Sequence, residues 1–302
     1  MKNKLIYTED MSKKTLAIAI ILAVFFIIFT QPVFAQYKVK DLDTEVFFFR
    51  TQEVELPIIM YHLITERPKY LGKYGITPEE LESDLAYLKE NDYETVVVQD
   101  LINFVNQGEK LPKKPIMLTF DDGNASDFLY LLPLLEKYEM KAVLAVLGGA
   151  ADKYTAEAES NPNARYPNLT WPQIKELHES GLAEIQSHSY GLHNVPIGSG
   201  KKRGESNEAY KLRFFDDLKK FQDACAAQLD YSPTAFIYPL GVIGDGSREV
   251  LEELGMSASI SCQEGMNIIR QGDKDCLFSL LRTNRPSGRS VEDILRKLQK
   301  NH

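Results

Sequence analysis

From residue 57 onwards, short apolar runs alternate with longer segments whose apolar positions recur every three or four residues. The runs at 57–61, 95–98, 116–120, 142–147, 183–186, 235–238 and, less clearly, 257–261 have the length and composition of buried strands. Helical patterns lie between them. Thr77-Pro78-Glu79-Glu80 reads as an N-cap, a first-turn proline and early acids, leading into Leu81, Leu85 and Leu88. Thr170-Trp171-Pro172-Gln173 opens a second helix by the same logic, and Gly181 closes it. Through 205–229, Phe214, Leu218, Phe221 and Cys225 mark a buried stripe. Strands alternating with helices predict a parallel sheet covered by helices. Seven strands predict a distorted, incomplete (β/α)7-type barrel in a single domain rather than a doubly wound sheet.

The first apolar block is of another kind. Lys13-Lys14 precede an unbroken apolar run over 16–29, followed by Val33-Phe34-Ala35. A run apolar on all sides is a poor core helix; with its basic start and small exit residue it predicts a secretory signal or, counted on to Val33, an uncleaved membrane anchor. The expected organisation is signal or anchor at 1–35, linker at 36–56 and one catalytic domain at 57–302, placed outside the cell or in the envelope.

Charge narrows the partners. The whole chain carries −8, and the first 35 residues hold four lysines against two acids, so the remainder is more acidic still. That surface argues against nucleic acid, and confines membrane contact to the N-terminal segment. Lys201-Lys202-Arg203, the one basic cluster, reads as a solvated loop. Three cysteines suit an exported chain with one left over: Cys262 and Cys276 flank a loop-like stretch and are candidates to pair, while Cys225 belongs to a helical core stripe.

Candidate chemistry gathers at strand ends. The third run reads Ile116-Met117-Leu118-Thr119-Phe120-Asp121-Asp122-Gly123. Two adjacent carboxylates at the end of a buried strand are costly unless a cation or proton compensates them, and Gly123 permits the turn that would bring both to one place. Downstream stands Ser187-His188-Ser189-Tyr190-Gly191-Leu192-His193-Asn194. On a helix, histidines five apart would diverge by about 140°; Gly191, Asn194 and Pro196 instead indicate a loop that brings both imidazoles together. One carboxylate and two histidines make a three-ligand set that leaves a position open for water, as at catalytic zinc sites. His62, the Asp pair, His188 and Tyr238-Pro239 all follow predicted strands on the carboxyl side, where barrels of this kind build active sites.

Thr-Phe-Asp-Asp-Gly and the His188–His193 segment resemble the first two motifs of the polysaccharide deacetylases, carbohydrate esterase family four with the NodB-homology domain. Pro57-Ile58-Ile59-Met60-Tyr61-His62 and the five-residue histidine spacing are similar to the branch that deacetylates poly-β-1,6-N-acetylglucosamine. The resemblance, covering residue 57 to the C-terminus, implies a hydrolase of N-acetyl amides acting on an N-acetylglucosamine polymer, expected as a monomer. It implies Asp122, His188 and His193 as ligands of a divalent metal, zinc first with cobalt, nickel or manganese as alternatives. It further implies Asp121 as general base, a backbone N–H near Leu240 for the oxyanion, and His62 as the acid. The arginine expected in the third motif is missing from Phe236-Ile237-Tyr238-Pro239-Leu240-Gly241, and Arg282 or Arg285 is the candidate replacement. Tyr190 and Tyr238, next to proposed ligands, are candidate substrate contacts; Trp171 and the other aromatics are expected in the core, and His178 on an exposed helix face. The competing functions are a peptidoglycan N-deacetylase, a sugar-binding pseudoenzyme, and a peptidase or esterase, for which no His-Glu-x-x-His or Gly-x-Ser-x-Gly run is present.

Overall fold

The computed structural model describes residues 52–193 and 196–300; the expected export segment and most of the expected linker lie outside them. The chain passes through β1 (Glu53–Leu56), which falls within the expected linker, then β2 (Ile58–Tyr61), the short β3 (Leu63–Ile64) and β4 (Gly75–Ile76), and α1 (Pro78–Glu90). Next come β5 (Glu94–Thr95), α2 (Val98–Gln107), the eight-residue β6 (Pro115–Asp122), a π turn at Asp127–Leu131, α3 (Leu132–Tyr138) and β7 (Ala142–Val146). There follow α4 (Gly148–Ser160), α5 (Trp171–Glu179), β8 (Ala183–Ser187), the long α6 (Asn207–Leu229), β9 (Ala235–Ile237) and α7 (Ser247–Glu253). The chain closes with β10 (Ala258–Ile260), β11 (Asn267–Arg270), β12 (Thr283–Asn284) and α8 (Val291–Lys300). The expected caps are present: Thr77 accepts from the Glu80 N–H while the Glu80 carboxylate accepts from the Thr77 N–H.

Seven strands lie in the order β12-β2-β6-β7-β8-β9-β10, and each adjacent pair is parallel. No strand pair joins β10 to β12 directly. Instead the Leu280 N–H donates to Ser259 O and the Ser261 N–H to Leu280 O, each at 2.8 Å, and the residue after Arg282 already begins β12 against β2. The sheet is therefore the expected incomplete barrel, its gap crossed by residues 280–284.

The membership differs from expectation in one place. The apolar run at 95–98 yields only a two-residue β5 against the base of β6, because Val98 already opens α2. Three acceptors draw it there. The Asp100 carboxylate takes the Val97 N–H at 2.9 Å, and the Glu184 carboxylate takes those of Val98 and Gln99 at 3.0 Å each. These bonds satisfy N–H groups that a helix start leaves open. β12 fills the seventh place.

Strand alternation divides the core into two faces. Ile59, Leu118, Phe120, Leu144 and Ile185 pack outward under the helices, whereas Ile58, Met117, Val143, Ala145 and Ile237 pack inward with α2. Asp121 has the parity of Met117 and Thr119, so its carboxylate faces the barrel interior.

Candidate active site

Both aspartates reach one site because the backbone turns between them. Asp121 ends the regular inward alternation, and Asp122 adopts φ +73° in the left-handed region, as does Gly123 after it. An aspartate tolerates that conformation better than a branched residue would. The turn is held by Asn124 Nδ2 donating to Asp121 O at 3.0 Å and Asn168 Nδ2 donating to Asp122 O at 2.9 Å.

Asp121 is 2% exposed, and both its oxygens are taken by one fork: Arg282 Nη1 donates to Oδ1 at 2.7 Å and Nη2 to Oδ2 at 2.8 Å. Arg282 is fully buried, and is itself oriented by donating to Ser261 O at 2.7 Å and Thr119 Oγ1 at 3.2 Å. Burial pushes the Asp121 carboxyl up, but the Arg282 guanidinium, His188 and His62 more than offset it and hold the group well below the usual carboxylate range. Of the two candidates for the absent motif arginine, Arg282 is the one that reaches the site. Arg285 turns away to Asp84, 2.6 Å from its Nε, and to Glu80.

The histidine segment begins at the end of β8. His188 is 1% exposed, and its Nδ1 lies 2.9 Å from Ile237 O. A carbonyl only accepts, so Nδ1 carries the proton and Nε2 presents a lone pair to the site. Burial lowers the His188 pKa, only partly countered by Asp121 and Asp122, which favours this neutral form. Past Ser189 at φ +83°, the loop is stapled by Asp217 on α6, whose two oxygens accept the N–H groups of Tyr190 and Gly191 at 2.8 Å each. That staple sits between the two histidines.

The outcome is a cluster of acceptors. Asp122 Oδ1 lies 3.3 Å from His193 Nε2 and 3.7 Å from His188 Nε2, and the three ligand atoms fall within 4.8 Å of one another. Asp122 Oδ1 is shielded from solvent and has no donor among the described residues. Three converging lone-pair donors, one of them an orphaned carboxylate oxygen, are a set that fits a divalent cation.

His62, just past β2, places Nε2 3.7 Å from Asp121 Oδ2, and its ring rests on that of Tyr74 with centroids 4.7 Å apart. Burial lowers its pKa against the opposing pull of Asp121 and Asp122. These residues share a pocket of about 520 Å³ with Leu240, Cys262, Asn124 and Glu264. Leu240 stands at φ +59°, half-exposed, in the turn after β9.

Two candidates do not reach the pocket. Tyr238 is 1% exposed and its hydroxyl is 2.9 Å from Ser247 Oγ; its ring meets Phe236 edge-on in a core beneath α6 and α7. The Tyr190 hydroxyl bonds Asp152, with Lys220 Nζ 4.0 Å above its ring. Sequence adjacency placed both near the metal ligands, but strand and loop geometry sends their side chains elsewhere. The candidate pairing of Cys262 and Cys276 is not made: both thiols are free, Cys262 beside Arg282 and Cys276 beside Arg270. His178 packs on Tyr231, away from the pocket, and His302 lies outside the described residues. Missed by the sequence reading were Tyr70, Lys73, Tyr74 and Asn284 on the pocket wall and Asp217 behind the loop. Asp217 sits within α6 one position before Leu218 of the buried stripe, a place that offered a clue; the wall residues lie in polar stretches with no periodicity.

The family model described as polysaccharide deacetylase matches residues 108–259. Over 249 residues the chain is 26% identical to the poly-β-1,6-N-acetyl-D-glucosamine N-deacetylase of Escherichia coli, covering 76% of this chain and 37% of that protein. With the enzyme of the same name from Staphylococcus aureus it shares 24% identity over 196 residues, 65% of this chain and 64% of that one. The chain thus spans less than two thirds of the length of either relative. Among solved structures, a de-N-acetylase from Aggregatibacter actinomycetemcomitans superposes with a TM-score of 0.68 at 26% identity, covering 80% of this chain and 99% of that one. IcaB from Ammonifex degensii shares the fold, with a TM-score of 0.63 at 22% identity over 81% of this chain and 95% of that one.

Proposed function

This chain belongs to the polysaccharide deacetylase family, and on that premise we propose that it hydrolyses the acetamide of N-acetylglucosamine units in an extracellular or envelope polysaccharide, releasing acetate and a free amine. The observation that carries the reading is the convergence of Asp122, His188 and His193 within 4.8 Å beside an Asp121 held ionised by Arg282. Poly-β-1,6-N-acetylglucosamine is the first candidate substrate, since the Escherichia coli and Staphylococcus aureus relatives are named as its N-deacetylases. An export signal or anchor at 1–35, as the sequence leads one to expect, would suit a polymer outside the cell.

Asp122, His188 and His193 would hold a divalent cation, zinc by first preference, whose chemistry there is Lewis acidity towards a carbonyl and an attacking water. Asp121 takes the proton from that water as general base. Its bidentate bond to Arg282 keeps the carboxylate charged and aimed, leaving Oδ2 towards both His62 and His188. His62 hands a proton to the departing nitrogen as the C–N bond breaks, because an amine leaves poorly unless protonated. The backbone at Leu240, turned into the pocket wall by its positive φ, is the proposed donor to the oxygen that gains charge.

Mass spectrometry of defined β-1,6 and β-1,4 N-acetylglucosamine oligomers incubated with metal-loaded protein tests this. Loss of acetyl groups from the β-1,6 series is expected; preference for β-1,4 oligomers would move the substrate towards peptidoglycan, and acetate from neither would refute the hydrolase. Asp121→Asn is expected to keep its metal and lose roughly 10²-fold in kcat. Departure of the metal with the carboxylate would make Asp121 a ligand instead.

A further inference from the structure

The cluster of Asp122, His188 and His193 is drawn from two stretches of chain that no strand pair joins directly. Asp122 ends β6, the histidines follow β8, and β7 lies between those strands. The sheet still reaches His188, whose N–H donates to Val146 O at 3.0 Å. It does not reach His193, so the 3.3 Å approach of His193 to Asp122 depends on how the intervening loop is held.

Tyr190 docks that loop on α4. At the start of the helix the Gly148 and Gly149 N–H groups donate to Ser189 O at 3.1 Å and to Tyr190 O at 2.8 Å. The approach is close enough to require both glycines: a Cβ at Gly148 would stand 2.9 Å from Tyr190 Cδ2, and one at Gly149 2.8 Å from Tyr190 O. One turn further along α4, Asp152 accepts from the Tyr190 hydroxyl with one oxygen and from Trp171 Nε1, at 2.6 Å, with the other. Trp171 is buried and opens α5, and its own N–H donates to Thr155 Oγ1 of α4 at 2.8 Å. Directly before it, residues 167–169 grip the aspartate turn. The Ala125 N–H donates to Pro167 O, the Leu169 N–H to Gly123 O and Asn168 Nδ2 to Asp122 O, each at 2.9 Å. The Asp152 carboxylate therefore stands where the segment gripping Asp122 meets the segment carrying both histidines. It is exposed and lies outside the pocket lining, so it has no place in the core and touches neither substrate nor the metal position.

We propose that Asp152 is a positioning residue for the metal centre: by bridging Tyr190 and Trp171 it sets the spacing between Asp122 and His193. Charge-assisted bonds to both partners give one exposed side chain that reach. The inference rests on the metal centre of the deacetylase reading, and its test separates the two. Metal-free protein is titrated with zinc and with cobalt, whose visible absorption reports the geometry of its ligands. Asp152→Ala should weaken zinc binding by about 10-fold, the scale of losing an outer-shell partner, and change the cobalt spectrum, with little change in the Tm of the metal-free protein. Tyr190→Phe breaks the same bridge and should reproduce the loss, and the double variant should bind no worse than either single one. Asp152→Asn can still accept from Trp171 and donate to the Tyr190 oxygen, and should restore both affinity and spectrum. Wild-type affinity and spectrum in Asp152→Ala overturn the inference alone, as do losses that add in the double variant or that only follow a fall in Tm. A wild-type protein that takes up neither metal would remove the metal centre, and the inference with it.

Discussion

Arg282 and Arg285 leave the chain three residues apart, and each closes a buried ion pair with an aspartate, yet the two aspartates are driven in opposite directions. Asp121 meets the Arg282 fork with His188 and His62 beside it; burial raises its carboxyl, but these groups favour the anion and the balance falls well below the ordinary range. Asp84 meets Arg285 together with the Tyr61 hydroxyl at 3.1 Å and the Val291 N–H at 3.0 Å, and there burial prevails and raises its carboxyl. The second pair ties α1 to the start of α8 and to Tyr61 of β2. One pair prepares a base at the pocket; the other locks elements of the fold. An Asp–Arg contact by itself does not tell which, and the neighbouring charges do.

The sharpest way to break this contrast is to remove each arginine. Arg282→Met and Arg285→Met should each cost about 3–5 kcal/mol of stability, since each strands a buried carboxylate. Only Arg282→Met should also lower kcat per folded molecule, by roughly 10²-fold, through the orphaned base. Denaturant unfolding alongside acetate release measures both quantities. A comparable rate loss in Arg285→Met would show that the second pair serves catalysis after all.

A smaller effect is expected where the site is held from behind. Asp217→Asn keeps one acceptor for the loop between His188 and His193 and loses the other. Metal affinity should fall about 10-fold, the scale of losing an outer-shell partner, with little change in Tm. Titration of the metal-free protein with zinc reads it, and an unchanged affinity would assign Asp217 to the fold alone.

The smallest effect lies in the pH dependence of stability. Asp121 has its folded pKa below the unfolded value of about 3.9, so its contribution is complete above that pH and is lost as pH falls below it. The stability gap between wild type and Asp121→Asn should therefore close in acid. For Asp84 the folded pKa is raised, so its contribution declines as pH climbs above about 4, and the gap to Asp84→Asn should narrow in that direction. Parallel slopes for the two variants, measured on metal-free protein, would abolish the contrast.

Local chemistry alone determined a good deal of this protein. Apolar runs bounded by caps located six of the seven strands of the barrel, because a strand buried on both faces is written as a continuous apolar segment. Asp-Asp-Gly after such a run, and two histidines on a loop after another, named the Asp122, His188 and His193 cluster that the fold brings within 4.8 Å. Tertiary structure decided the remainder. Val98 reads as strand and begins a helix because Glu184, 86 residues away, accepts its N–H. Thr283 and Asn284 read as nothing and complete the sheet, because a two-residue strand holds too little pattern to register and its pairing partner, β2, lies more than two hundred residues upstream. Tyr238 and Tyr190, adjacent to site residues in sequence, were carried out of the pocket by the alternation and turning of the backbone, whereas Arg282, 161 residues from Asp121, was carried in. Which arginine meets which aspartate is a question of distance in space, and a chain's own order holds no measure of that until residues 280–284 cross the gap of the incomplete barrel.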